Sequence, residues 1–409
     1  MEMKQVVTGN AGPKVRSDIQ VTLELTASGG LAIEIRSKVK SMYGNAIEKQ
    51  CRDLLRYFGI ENARMKVDDS GALPFVIAAR VEAAVRASGR TPVAFLPEMI
   101  KENGYTSERG RFRFSRLYLP GNNPGMFLNA GLHSPDGVIL DLEDSVAPER
   151  KDEARILVRN ALRAVDFYGA ERMVRINQGD RGLEDLEYVI PHNVHLVLVP
   201  KCEGRETILK IDGRINEIRE REKIERPVFL MPIIESAAGV EKAFEIATAS
   251  PSVVALAIGL EDYTADLGVQ RTKEGQESLY ARNRLVVAAK AAGIQPIDSV
   301  FSDVADMEGL LDNVLRSKAM GFEGMGCIHP RQIAVIRKGF SPEPEEIEKA
   351  QKIVVAFREA QERGLGVVAL GSKMIDPPVV ARAEKTIALA VRLGLLPDGW
   401  DEQEQEPEQ

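Results

Sequence analysis

Eight short apolar runs, each followed by a longer stretch of helical periodicity, predict an α/β fold built on a (β/α)8 TIM barrel. An alternating polar and apolar stretch ahead of them predicts a small N-terminal α+β domain, and an amphipathic run behind them predicts a helical C-terminal extension. The length of 409 residues agrees, because at roughly 100–200 residues per domain it holds two or three folded units. The expected divisions are an α+β domain at 1–88, a linker at 89–111, the barrel at 112–340, the extension at 341–395 and a disordered tail at 396–409.

In the front domain, DIQVTLELT and GGLAIEIRSK alternate around a Gly-Gly turn, the pattern of a hairpin with one solvated face. YGNAIEKQCRDLLRYFGI changes to helical period and ends near Gly59. ARMKVDDSG reads as a third strand and FVIAARVEAAVRAS as a second helix, giving two or three strands and two helices. TPVAFLPEM and KENGYTSERGR lose periodicity and read as the connection. Barrel strands fall at 114–119, 137–140, 172–176, 195–199, 228–232, 253–258, 294–297 and 324–328. Helical patterns such as RKDEARILVRNALRAV, ETILKIDGRINEIRE and ESLYARNRLVVAAKAAG lie between them. An open doubly wound sheet is the structural alternative, but GNNPG is not GxGxxG and no GxxxxGK[ST] occurs. A long amphipathic helix is expected over 342–363, and DEQEQEPEQ offers nothing apolar to bury.

The formal charge of −7 gives no whole-chain footprint for nucleic acid. Cys51, Cys202 and Cys327 form no CxxC pair, which points to a reducing compartment rather than a disulfide framework or thiolate metal site. With neither a signal-like apolar segment nor a run of roughly 18–20 apolar residues, a cytoplasmic protein without membrane contact is expected.

Polar residues cluster after the expected strands, where a barrel opens its mouth. VILDLEDSVAPERKDEAR places Asp141, Glu143 and Asp144 there, although Asp144 or Ser145 would also suit a helix cap. MVRIN adds Arg175 and Asn177, PIIES adds Glu235, and AIGLEDYTAD adds Glu261, Asp262 and Asp266. Carboxylates converging with one arginine suit a hard divalent cation, Mg²⁺ in particular, while plain ion pairs to Arg175 are the structural alternative. Arg116 and Lys201, each near a strand-end loop, are candidates for phosphate or for ordinary solvation. His192, His195 and His329 have no HExxH spacing; His329 reads as a helix-start residue, and Cys327 as packing.

RLYLPGNNPGM, DGVILDLEDSVAPERKDEAR, VRIN, MPIIESAAGV, GLEDYTADLG, RTKEGQESLYAR and GSKMID, in this order, resemble the citrate lyase beta subunit within the wider family of CoA-ester and acyl-carrier-ester lyases. SKVKSMYGNAIEKQ, IENARMKVDDSGAL and ARVEAAVRAS resemble the citrate lyase gamma subunit, an acyl carrier protein. The resemblance implies a Mg²⁺-dependent lyase that cleaves a citryl thioester into oxaloacetate and an acetyl thioester. It implies Glu235 and Asp262 as metal ligands, Arg175 beside the substrate carboxylate and carbonyl, and Asp141 with Glu143 as the acidic group ordering the site. It further implies Asp376 as a tail aspartate serving acid-base chemistry in a neighbouring site, and Arg116 as a contact of the thioester cofactor's phosphates. A homo-oligomer and an alpha transferase partner are expected with it.

The carrier motif departs at one point. The family's AGTLES-like segment carries phosphoribosyl-dephospho-CoA on serine, whereas this chain reads AGPKVRSD, with Arg16 in that serine's place and Ser17 one residue later. Ser17 is therefore the candidate attachment point, with Thr8 a weaker one. Three functions follow: a fused carrier and citryl-thioester lyase, an independent lyase of free citramalyl-CoA or malyl-CoA, and a noncatalytic assembly scaffold.

Overall fold

The computed structural model describes residues 5–364, 366–370 and 373–400, in two compact units that divide between Ile336 and Arg337. The first begins with β1 (Val6–Thr8), β2 (Ile19–Leu25), β3 (Leu31–Ser37), α1 (Lys40–Tyr57), β4 (Ala63–Asp69) and α2 (Pro74–Ala87). The expected hairpin does not form. The sheet order is β1-β2-β4-β3, so β4 lies between the two strands of the Gly-Gly turn, antiparallel to β2 and parallel to β3. The reason lies in burial. β4 alternates buried and exposed positions along its whole length, while β3 has no fully buried residue and serves as an edge. The short β1 makes a fourth strand where two or three were expected.

The barrel strands are β5 (Ser115–Pro120), β6 (Gly137–Asp141), β7 (Glu171–Arg175), β8 (Leu196–Val199), β9 (Phe229–Ile234), β10 (Ala255–Ile258), β11 (Gln295–Ile297) and β12 (Met325–Cys327). All eight are parallel in one sheet, and an isolated Asp298–Met325 bridge joins β11 towards β12 to close the ring. Between and after them run α3 (Pro124–Phe127), α4 (Lys151–Ala164), α5 (Gly179–Val189), α6 (Arg205–Glu222), α7 (Ala237–Glu241), α8 (Ala243–Ala247), α9 (Leu260–Leu267), α10 (Leu279–Ala291), α11 (Met307–Met320) and α12 (Arg331–Phe340). Inward-facing Ile139, Met173, Leu198, Met231, Ile233 and Ile297 fill the interior, so this is a packed core with a functional mouth.

The front domain is joined to the barrel by α2, which packs on α4. α2 is buried around nearly its whole circumference, Arg80 and Glu82 included, as befits a helix held between two layers. Its charges close across the seam. Arg80 bonds Asp18 at 3.0 and 2.9 Å and approaches Glu153 at 3.5 Å, and Arg159 bonds Glu82 at 3.0 and 2.7 Å. Residues 89–111, read as a linker, are strapped to the barrel: Ile100 N–H donates to Arg163 O, and the buried Asn103 donates to Leu162 O and Val165 O.

The second unit contains α13 (Pro344–Glu362), β13 (Val368–Leu370), β14 (Lys373–Ile375) and α14 (Pro377–Arg392). A capping box formed by Glu343 and Glu346, with Pro344 in the first turn, starts α13. The expected tail at 396–409 is corrected at its start, because Leu396 and the buried Trp400 pack against Phe357, Val380 and Ile387. Residues 401–409 lie outside the described residues. Among the described residues no helix is long and apolar enough to cross a membrane.

Candidate active site

The C-terminal ends of β6 to β10 deliver the polar residues to one pocket of ≈ 480 Å³. Asp141 and Arg175, the last residues of neighbouring strands, are in register, so their side chains emerge at one height. Arg175 grips Asp141 with two bonds of 2.7 Å, reaches Glu143 at 3.2 Å and Asp144 at 3.5 Å, and lies 5.4 Å over the Tyr118 ring. The loop after β6 folds back on Asp141, whose carboxylate also accepts the Glu143 and Ser145 N–H groups. Burial alone would raise the Asp141 carboxyl. The bidentate arginine outweighs it and holds the group below the usual carboxylate range. Glu143 moves the other way, raised by burial and by its hydrogen-bonded neighbour Asp144.

Glu235 follows β9 and is almost fully buried. Its Oε2 accepts the Lys201 N–H at 2.7 Å, yet no lysine, arginine or histidine among the described residues pairs with its charge. Burial, with Asp262 nearby, pushes its carboxyl up to about 7. Gly259 makes this position possible, since a Cβ there would stand 2.5 Å from Glu235 Oε1. Asp262 enters from the first turn of α9. Two carboxylates thus face one space with a shortage of positive charge, a donor set that suits Mg²⁺ completed by substrate oxygens and water. Among the described residues no cluster of three or more acidic, histidine or cysteine side chains encloses an ion by itself.

Lys201 holds these groups together in a way its sequence context did not disclose. Its ammonium stands 3.3 Å from Glu143, 3.4 Å from Asp144 and 3.5 Å from Asp262, which hold its proton more firmly than usual. Its backbone adopts φ 47°, which aims the N–H at Glu235. Gln178, donating to Glu143 at 2.9 Å, and Tyr118, beneath Arg175, were also not anticipated; the parity of Tyr118 with Pro120 along β5 is the one readable signal.

The other candidates have other partners, although Glu261 also lines the pocket. Asn177 serves Lys151 and Asp185, Glu261 pairs with Arg271, and Asp266 accepts the Ala237 N–H. His329 accepts the Arg331 N–H at the start of α12, and the buried Cys327 thiol is pushed up to about 12. Arg116 stands within β5, as the expected strand at 114–119 has it, and lines the bottom of the same pocket inside the barrel. Ser17 sits in the front domain at φ 55° with its N–H on Ser70 O. The adjacent Arg16 carbonyl lies so close to Gly125 that a Cβ there would come within 2.9 Å of it, bringing this loop against the first βα loop, whose Met126 lines the pocket. Asp376 belongs to the second unit, where it caps α14 by accepting the Val379 N–H.

Comparison with known proteins matches two separate segments of the chain to two families. Residues 115–330 match the family described as HpcH/HpaI aldolase/citrate lyase, and residues 5–88 match an acyl-carrier family described as malonate decarboxylase delta subunit (MdcD). The chain is 38% identical over 285 residues to the citrate lyase subunit beta of Leuconostoc mesenteroides subsp. cremoris, covering 68% of this chain and 94% of that protein. It is 36% identical over 315 residues to human mitochondrial citramalyl-CoA lyase, covering 73% and 93%. Among solved structures, the CitE protein of Mycobacterium tuberculosis in complex with magnesium, acetoacetate and coenzyme A superposes with a TM-score of 0.59 at 31% identity, covering 69% of this chain and 99% of that one.

Proposed function

Because the chain belongs to the HpcH/HpaI aldolase/citrate lyase family, with an acyl-carrier-like domain fused in front, we propose that it is a Mg²⁺-dependent carbon–carbon lyase that cleaves a citryl thioester into oxaloacetate and an acetyl thioester. The observation that carries this reading is the meeting of Arg175, Asp141, Glu235 and Asp262 in one barrel-mouth pocket. Glu235 and Asp262 are the residues that would hold the metal. When bound, Mg²⁺ supplies Lewis-acid polarisation of the keto-acid oxygens.

The remaining work falls to the chain's own groups. Arg175, fixed by Asp141 and Glu143, offers a preset cation to the alkoxide oxygen that forms on the keto-acid fragment as the substrate hydroxyl loses its proton. Removal of the substrate hydroxyl proton converts that carbon to a ketone; the bonding pair leaves with the acetyl thioester as its enolate, which then takes up a proton. Asp376 is assigned this proton transfer, acting in the site of a neighbouring chain within a homo-oligomer. Lys201 keeps Glu143, Asp144 and Asp262 from repelling one another before substrate arrives.

Ser17 is the proposed anchor of a phosphoribosyl-dephospho-CoA arm, which would couple the lyase to an alpha transferase subunit. Arg16 in the aligned serine's place favours the second reading, a lyase of free citramalyl-CoA or malyl-CoA. The complete set of mouth residues speaks against a noncatalytic scaffold. The test offers purified protein citryl-CoA, citramalyl-CoA and malyl-CoA with and without Mg²⁺, alongside the intact mass of Met1 to Arg36 from the native host. Mg²⁺-dependent release of oxaloacetate supports the lyase, and an arm on Ser17 supports the carrier. Absence of turnover of any thioester by metal-loaded protein sinks the lyase assignment.

A further inference from the structure

Five arginines rank among the most completely buried large side chains: Arg80, Arg113, Arg116, Arg159 and Arg172. Four of them meet oxygen acceptors, although among the described residues Arg80 Nη1 makes no hydrogen bond and rests 3.5 Å from Glu153. Arg80, Arg113 and Arg159 pair with Asp18, Glu171 and Glu82, and Arg172 bonds the carbonyls of Asn193, Asn103 and Tyr105. Arg116 is the exception. A guanidinium carries five N–H donors. Among the described residues Nη1 meets only the weakly accepting Met231 Sδ at 2.9 Å, and Nε is buried without a partner. No carboxylate among the described residues forms an ion pair with it. Burial draws its pKa down to about 10, so it is still charged at neutral pH.

An uncompensated cation inside a barrel costs stability, which an arriving anion would offset. The structure leaves room for one. In register on either side of Arg116 stand Gly137 and Gly326, so neither flanking strand places a side chain beside it. Two residues up the same strand comes Tyr118, and over Tyr118 lies Arg175, so the pocket leads from the mouth carboxylates down to this guanidinium. The three candidate thioesters differ at one substituent of the carbon that becomes the new carbonyl. It is a carboxymethyl group in citryl, a methyl in citramalyl and a hydrogen in malyl. Beyond the carboxylate that all three share, only the first brings a second anion.

We propose that Arg116 is the specificity determinant of the pocket, binding the second carboxylate of a dicarboxylic keto acid and so selecting citryl over citramalyl and malyl thioesters. This rests on the lyase reading for its substrates, but not for its test. A position inside the barrel suits a carboxylate held within the pocket, rather than the phosphates of a thioester handle expected from the sequence.

The experiment measures calorimetric binding of oxaloacetate and pyruvate, with Mg²⁺ present, to the full chain and to Arg116→Met and Arg116→Lys, together with their melting temperatures without ligand. Arg116→Met is expected to weaken oxaloacetate by roughly 10²–10³-fold while leaving pyruvate within a few-fold, the scale set by removing one partner of a buried charge pair. Arg116→Lys should retain part of the preference. The melting temperature of Arg116→Met should equal or exceed that of the parent, because an unpaired buried charge has been removed; a merely structural arginine would lower it. Equal weakening of both acids, or no change in oxaloacetate affinity, overturns the assignment. In turnover assays the same variant should shift the citryl to citramalyl preference in kcat/KM towards citramalyl. If the parent cleaves no thioester yet binds oxaloacetate through Arg116, the lyase reading fails and the anion site stands. If the parent prefers citramalyl and Arg116 is indifferent, the reverse holds.

Discussion

The seam between the front domain and the barrel and the mouth of the barrel both bury several charges, but they treat them differently. At the seam each buried carboxylate of the α2–α4 contact meets an arginine: Asp18 and Glu153 face Arg80, and Glu82 faces Arg159. At the mouth the arrangement stays open. Arg175 and Lys201 satisfy Asp141, Glu143 and Asp144, whereas among the described residues Glu235 keeps only a backbone donor and Arg116 only a thioether. Charges that close on each other hold structure together; charges left open are waiting for a ligand of opposite sign.

The seam should yield the largest effect. Glu82→Ala strands Arg159 at the interface, and loss of one partner from a buried pair costs about 3–5 kcal/mol. Chemical denaturation should show that loss while kcat of the folded fraction stays unchanged; a large fall in kcat with stability intact would erase the distinction between the two regions. At the mouth, Arg175→Ala should lower kcat by about 10²–10³-fold, the range for losing one preset oxyanion donor. Its urea midpoint should fall as well, because the buried Asp141 loses its bidentate partner, so kcat is read on the folded fraction; normal turnover there would remove Arg175 from the chemistry.

Glu235→Gln and Asp262→Asn should each weaken Mg²⁺ by more than the roughly 10- to 100-fold that loss of an outer-shell partner costs. Unchanged metal affinity in both would reject the pair. The smallest effect is expected from the closed histidines. His192 and His195 are pushed down to about 3, chiefly by burial and then by neighbouring arginines. Exposed imidazole titrates near ~6.5, so below that pH the unfolded chain binds protons that the folded chain refuses. Their contribution is therefore complete above about pH 6.5 and declines as pH falls towards 3. Urea midpoints between pH 8 and 5 should show the decline in the parent and a shallower one in His195→Gln; parallel profiles would count against it.

Much of the fold and of the mouth is legible in the amino-acid order alone. The eight strands can be placed because parallel strands buried on both faces read as short apolar runs, and Asp141, Arg175, Glu235 and Asp262 stand out because a polar residue just after such a run has few structural reasons to be there. Pairing is less accessible. The Gly-Gly turn looks like a hairpin because alternation reports which face is buried, not which strand lies alongside, and β4 arrives from 26 positions beyond β3. Lys201 is visible as a basic residue at a strand end, but its link to Glu235 depends on a left-handed backbone that lysine does not advertise.

Local periodicity and strand-end chemistry are thus determined by the sequence itself, because both are short-range patterns written along the chain. Which charges are satisfied is decided only in the tertiary structure. Arg80 and Arg116 are the same side chain with the same near-total burial, and what separates a structural bond from an open anion site is whether folding brings a carboxylate from 62 residues away, as it does for Arg80, or none among the described residues, as for Arg116.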